Sequence, residues 1–380
     1  MRIVVAMDSF KGSLTSLEAG NSVHDGIMKA DPSACVTVCP MADGGEGTVE
    51  ALRRGLGGDA VKVSVMGPLG ASVDAVYCVL PDRRTAVMEM AAAAGITLVD
   101  PRKRDVRRAT TYGVGQLILD AIARGCRHFI LGIGGSATND GGTGMLAALG
   151  YEFLDLNGQK IPLGAGGLEQ LHRISAENVL PELAECTFRI ACDVTNPLCG
   201  SNGCSAVFGP QKGATQDMIP QLDAWLRNYG KLAKTVSEKA DPDYPGAGAA
   251  GGLGFAFLTF TNATLEPGVE IILSETGLEE KIRSADIVVT GEGRLDRQTV
   301  MGKAPIGVAK LAKKHGKKVI AFCGCLGEGA EACLDHGIDA YFPIVQTSAT
   351  AEEALRTENA YRDLRDTACG VFRRMFAEKS

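Results

Sequence analysis

Residues 2–39 read RIVVAMDSFKGSLTSLEAGNSVHDGIMKADPSACVTVC. Arg2–Met7 is a β-branched apolar run of strand length, and Cys35–Cys39 is a second one. Between them Ser16–Ala30 carries helical periodicity and stops before Asp31-Pro32. Strand, helix and strand in that order predict a βαβ unit with parallel strands. A further helix is predicted over Gly47–Arg54.

The same grammar returns at the other end. Asp286–Thr290, Val319–Cys323 and Ala340–Ile344 are short apolar strands. Helices are predicted over Pro305–His315, Gly329–His336 and Ala351–Ala377. Two strands from the start and three from the end predict one five-stranded parallel sheet. The fold class is therefore α/β, with a flavodoxin-like domain formed by both termini, residues 1–66 plus 277–380. Residues 67–276 become a second, inserted α/β domain. In it, Ala75–Leu80 and Thr85–Met90 flank Pro81-Asp82-Arg83-Arg84, a hairpin signature. Thr110–Arg124, Gly142–Leu149 and the amphipathic Asp217–Lys239 are predicted helices. An insertion crosses between domains twice, which places the expected active site in an interdomain cleft.

Composition narrows the function. A chain of 380 residues with 45% apolar and 22% charged residues suits a soluble two-domain enzyme. Its net charge of −6 gives no basic excess for a nucleic-acid partner. The sequence holds no apolar run long enough for a membrane span, and its opening run is too short for a signal peptide. Twelve cysteines without a C-x-x-C predict free thiols in a reducing, cytoplasmic compartment. Cys323 and Cys325 are the nearest approach to a metal or redox pair, but such thiols more often pack as small apolar groups.

The glycines fall in clusters, and the densest is Phe129–Leu149, FILGIGGSATNDGGTGMLAAL. A strand runs into a loop of glycines and small polar residues, and a helix follows. Bare amides and a helix N-terminus favour an anion. Gly132–Ala137 also fits G-x-G-x-x-A, with Glu152 and Asp155 near the place of a dinucleotide fold's ribose-binding carboxylate. Thr138-Asn139-Asp140-Gly141-Gly142, however, prolongs the loop and moves the expected helix start to about Gly141. A longer loop suits a polyphosphate tail better than a snug pyrophosphate turn. The competing reading assigns these glycines only to strand–helix packing. Pro245–Gly254, PGAGAAGGLG, is a second glycine cradle.

Charged groups gather at strand ends. Asp8, Ser9 and Lys11 follow the first strand, and Asp43 and Glu46 follow the second. Gly291–Asp296 follows the third, and Lys303 precedes the helix opened by Pro305. In open α/β sheets this edge binds ligands, although each residue alone would also serve as a turn or helix cap. Asp193 and Asn196 lie on a turn after another strand. Lys212 in FGPQKG could reach a phosphate, although a solvated lysine is the more ordinary reading. The five histidines are scattered, so acid–base work falls to carboxylates and lysines.

DSFKGSL, MADGGEGT, GIGGSATNDGG, CDVTNPL, VFGPQKGA, PGAGAAGG and TGEGRLDRQTVMGKAP, in that order, resemble the glycerate kinase type-1 fold family. The resemblance covers essentially the whole chain. It implies ATP-dependent phosphorylation of D-glycerate at its 2-hydroxyl, giving 2-phosphoglycerate and ADP with Mg2+. Phosphoryl transfer asks for positioning, for cations on the moving phosphate and for a group that orients the hydroxyl. On that basis Gly134, Gly135, Ser136, Thr138, Asn139, Gly141, Gly248, Gly251 and Lys303 are expected at ATP. Asp8, Ser9, Lys11 and Asn196 are expected at D-glycerate, and Asp43, Glu46 and Asp193 at Mg2+. Catalysis is expected from Lys11 and from Asp193 or Asp296, which compete for the role of general base. The rival classes are a nicotinamide- or flavin-dependent oxidoreductase and a non-enzymatic sensor of a small acid.

Overall fold

The computed structural model of the chain describes residues 1–42, 48–344 and 350–377. These form two compact units, one from residues 1–42, Glu50–Leu56 and 269–377, the other chiefly from Gly57–Gly268.

In the first unit Arg2–Met7, Cys35–Val38, Ile287–Leu295, Lys318–Leu326 and Ala340–Pro343 make one sheet, and each neighbouring pair is parallel. Counted along the chain its strand order is 2-1-3-4-5, the flavodoxin-like arrangement. Alternate residues of the central strands (Ile3, Val5, Met7, Val289, Ile320 and Phe322) are buried with Val23, Ile27, Leu364 and Phe372. Helix Ser16–Ala30 opens on a capping box: Thr15 Oγ1 accepts the Glu18 amide, and the Glu18 carboxylate accepts the Thr15 amide. That helix lies so close to the C-terminal one that a Cβ on Gly26 would stand 2.3 Å from the Arg365 carbonyl oxygen.

The single helix expected over 351–377 is divided into Ala351–Leu355 and Thr357–Ala377, with Arg356 extended between them. The Thr357 hydroxyl donates to the Ser13 carbonyl at 2.9 Å. A partner that far away in sequence leaves no mark on local periodicity.

The second unit holds a six-stranded mixed sheet. Ala263–Glu266, Thr187–Ala191, His128–Gly132 and Thr85–Glu89 run parallel in that order. Ser72–Val79 and Asp59–Met66 continue it as antiparallel strands. The hairpin at Pro81–Arg84 is present, tied by the Asp82 carboxylate accepting the Arg84 and Thr85 amides. Asp59–Met66 pairs along its whole length with Ser72–Val79, so residues 57–66 belong to this unit and not to the terminal one. Residues 269–276, conversely, go with the terminal unit. The boundaries differ from 66/67 and 276/277 because pairing partners, not local pattern, decide where a strand belongs. The core stacks Phe129 on Phe188, with ring centroids 4.7 Å apart, and Phe188 against Phe257 at 5.4 Å. Among the described residues no helix is long and apolar enough to cross a membrane.

Candidate functional site

The parallel strands of the second unit bring three loops to one edge. Gly132 pairs with Ala191, and Ala191 with Glu266. Gly134 and Asp193, each two residues beyond its strand's last rung, therefore leave neighbouring strand ends at the same level. Both are exposed. One oxygen of the Asp193 carboxylate accepts the Gly268 amide at 3.1 Å.

The loop after Gly132 does not offer its whole length to a ligand. Its helix starts at Thr143, and the anion at that N-terminus is the protein's own Asp140. Asp140 is fully buried. Its Oδ2 accepts the Thr111 amide and hydroxyl at 2.8 and 2.9 Å and the Gly144 amide at 3.3 Å. Its Oδ1 accepts the Gly142 amide at 3.1 Å. Burial holds this carboxyl above its usual range, and the hydrogen bonds from Thr111 and the two glycine amides offset only part of that rise. Every one of these contacts donates to a carboxyl oxygen.

The second glycine cradle packs into the first. The Gly141 amide donates to the Gly251 carbonyl at 2.9 Å, and the Gly248 amide to the Asn196 carbonyl at 2.9 Å. A Cβ on Gly251 would lie 2.1 Å from the Thr138 carbonyl oxygen, and the residue sits at φ +70°. Thus Gly141 and Gly251, expected at ATP, are buried where the two turns interlock, and Gly248, expected there too, is buried against the Asn196–Pro197 turn. Asn139 is buried too and donates through Nδ2 to Ser205 Oγ at 2.9 Å. We expect Gly251→Ala to cost about 2–3 kcal/mol, since left-handed strain adds to an overpacked contact. A urea midpoint equal to wild type would contradict the interlock.

What stays open is Gly134 and Gly135, with Ser136 buried directly behind them. Gly134 and Gly135 are exposed. Among the described residues no protein group accepts the amides of Gly134, Gly135 or Ser136. Beneath them lies Lys212, which is 2% exposed, not solvated as its sequence context predicts. Its ammonium donates to Ser136 Oγ at 2.7 Å and to the Thr138 carbonyl at 2.6 Å. Burial lowers its pKa to about 8, against a smaller upward pull from Cys204 and Asp140. A lysine between glycines in a turn gives no sequence signal of depth.

The oxidoreductase lookalike loses its carboxylates. Glu152 lies on a short hairpin strand and pairs with Lys160, while Asp155 accepts the Asn157 and Gln159 amides of its own turn. Asn196 donates to the Asn202 carbonyl at 2.8 Å, which leaves it a turn-former beside Asp193.

In the first unit the strand order reverses between Arg2–Met7 and Ile287–Leu295, the switch point where open sheets take ligands. Asp8, Ser9 and Lys11 stand at one of these strand ends and Glu292–Asp296 at the other. Met7 pairs with Gly291, and the Asp8 amide donates to the Gly291 carbonyl at 2.9 Å. Buried Phe10 and Leu14 anchor a tight turn that leaves Lys11 exposed at its tip. Asp8 is buried and accepts the Ser9 amide at 2.7 Å.

Asp296 builds its own turn, accepting the Gln298 amide at 2.8 Å with Arg294 at 3.4 Å. Glu292, part of a quoted motif but given no role from sequence, is buried. It accepts the Thr299 hydroxyl at 2.7 Å and lies 3.5 Å from Lys303 Nζ. Burial raises its pKa against the pull of Thr299 and Lys303. Lys303 stands at the N-cap position of helix Ala304–Lys314 without a side-chain capping bond, and proline follows in its first turn.

The residues fit a nucleotide in two separate respects: the second unit's sheet edge presents the exposed Gly134 and Gly135, and the first unit's edge carries Lys11 and Lys303. For Mg2+, Asp43 and Glu46 lie outside the described residues. Among the described residues no three potential metal ligands cluster. Exposed Asp193 supplies a carboxylate, which fits an ion carried mainly by phosphates and water. Cys323 is fully buried, and burial pushes its thiol up to about 12, in keeping with packing rather than chemistry.

Comparison with known proteins agrees across the whole chain. A model described as the glycerate kinase family matches residues 3–376. The chain is 48% identical to a glycerate kinase of Halalkalibacterium halodurans, over 93% of each protein. It is 46% identical to a glycerate 2-kinase of Escherichia coli strain K12, over 94% of this chain and 93% of that one. A Salmonella typhimurium LT2 protein provisionally named glycerate kinase 2 superposes with a TM-score of 0.91 at 45% identity, covering 100% of this chain and 99% of that one.

Proposed function

The chain belongs to the glycerate kinase family and is a kinase, and from that premise we propose that it transfers the γ-phosphoryl group of ATP to the 2-hydroxyl of D-glycerate, giving 2-phosphoglycerate and ADP. The observation that carries this reading is the 46% identity, over nearly the full length, to a relative named for that position of transfer.

In the proposed mechanism the Gly134–Ser136 amides hold nucleotide phosphoryl oxygens, as Thr138 and Asn139 support the turn from inside. Lys11 and Lys303 neutralise the substrate carboxylate and the γ-phosphate. Asp8 and Ser9 orient D-glycerate, with Asn196 shaping the turn that carries Asp193. Asp193 accepts the proton of the attacking hydroxyl or contacts Mg2+, and Asp296 is the competing assignment. When bound, Mg2+ supplies charge neutralisation at the phosphates, and Asp193, Asp43 and Glu46 are the residues proposed to hold it.

The test is the product. D-glycerate, ATP and Mg2+ are expected to give a 31P-coupled C2 proton by NMR, with L-glycerate as control. Phosphate found on the 3-hydroxyl, or equal turnover of both enantiomers, would overturn the regiochemistry or the substrate.

A further inference from the structure

Among the described residues Lys212 is the only buried lysine or arginine. It takes part in no ion pair within the described residues. Asp140, the carboxylate whose charge it feels, has its oxygens occupied by Thr111, Gly142 and Gly144. A cation withdrawn from water onto two neutral acceptors is a costly arrangement, and it is relieved when an anion arrives.

The hydrogen bonds show where that anion would sit. Ser136 Oγ accepts from the Lys212 ammonium, so its own proton must point away from Lys212. Ser136 follows directly on exposed Gly134 and Gly135, whose amides no protein group accepts among the described residues. An ammonium behind a hydroxyl polarises it, and charge-assisted donors are roughly twice as strong as neutral ones. The buried Thr138 Oγ1 and Asn139 Oδ1 in the same loop also lack any partner, which leaves polar capacity beside the seat.

We propose that Lys212 is a positioning residue that acts through Ser136, making the Gly134–Ser136 turn a charged seat for an oxyanion. The occupant is either the phosphoryl oxygens of the nucleotide or the carboxylate of D-glycerate. This rests on the kinase reading for the identity of the two anions, though not for the existence of the seat.

The test compares wild type, Lys212→Met and Ser136→Ala. Thermal shift is titrated with inorganic tripolyphosphate, with D-glycerate and with adenosine, and KM and kcat are measured alongside. Tripolyphosphate is expected to bind about tenfold or more weaker to Lys212→Met, and about threefold or more weaker to Ser136→Ala, with adenosine unchanged. KM for ATP should rise in step. If the D-glycerate titration moves and tripolyphosphate does not, the carboxylate is the occupant. Should Lys212→Met fail to fold, Ser136→Ala decides, because Lys212 keeps its Thr138 contact. Folded variants that respond to both anions as wild type does would overturn the proposal. Lys212-dependent tripolyphosphate binding in a wild type that releases no ADP with D-glycerate would sink the kinase reading and leave the seat standing.

Discussion

Asp193→Asn is expected to lower kcat by about 100- to 10,000-fold, the usual effect of losing a general base, with folding intact. The expectation rests on placement. Asp193 leaves its strand beside the strand that delivers Gly134, at the same level of the sheet, and it is exposed. Its Oδ1 accepts the Gly268 amide, which fixes the carboxylate without burying it. An asparagine with its oxygen on the Gly268 amide keeps that acceptor while removing the charge and the basic oxygen. Asp296→Asn should cost less than about tenfold, because Asp296 is engaged with Gln298 and Arg294 in its own turn and its amide can hold the same contact. Steady-state kinetics of the two variants, with circular dichroism as the folding control, ranks them. Near-wild-type turnover of Asp193→Asn would remove its assignment, and a larger loss at Asp296 would reverse the order.

Asp140→Ala should destabilise the second unit by at least about 4 kcal/mol, because three amides and a hydroxyl would lose their acceptor in a buried place at about 1–3 kcal/mol each. The damage would spread, since Thr111 Oγ1 also accepts the Met145 amide at 2.9 Å and so ties two helix starts together. Asp140→Asn should recover only part of the loss, because its NH2 would face donors. Trp225 is the chain's single tryptophan and packs against the second unit's core, so its fluorescence reports that unit's unfolding in urea. A midpoint shift worth less than about 1 kcal/mol would show that the network is dispensable. Loss of stability here with kinetics unchanged in the folded fraction would separate Asp140 from the proposed chemistry.

The sequence was most legible where secondary structure is local. The Arg2–Met7 and Ser16–Ala30 elements stand as their apolar spacing and the Thr15/Glu18 pair require. The hairpin around Pro81–Arg84 likewise follows from turn chemistry that four residues contain. Asp59–Met66 was harder to place. No strand was assigned to it from the sequence, and its pairing with Ser72–Val79 shows which sheet it joins. In the glycine loop the residue types announced a ligand anion at a helix start, and at the start of Thr143–Ala148 the structure places the loop's own Asp140.

By itself the sequence determined the strands of the terminal sheet and the helix between the first two, the split of that sheet between both chain ends and, through seven ordered motifs, the family. These depend on short-range pattern, and pattern is written along the chain. Tertiary structure alone decided which polar groups are spent. It turned Gly141, Gly248 and Gly251 inward, gave Asp140 to Thr111 and took Lys212 out of water to lie under Ser136. Burial and hydrogen-bond partnership arise between residues far apart in sequence, so no local spacing encodes them. For a charged group, those two conditions settle whether it holds the fold together or awaits a ligand.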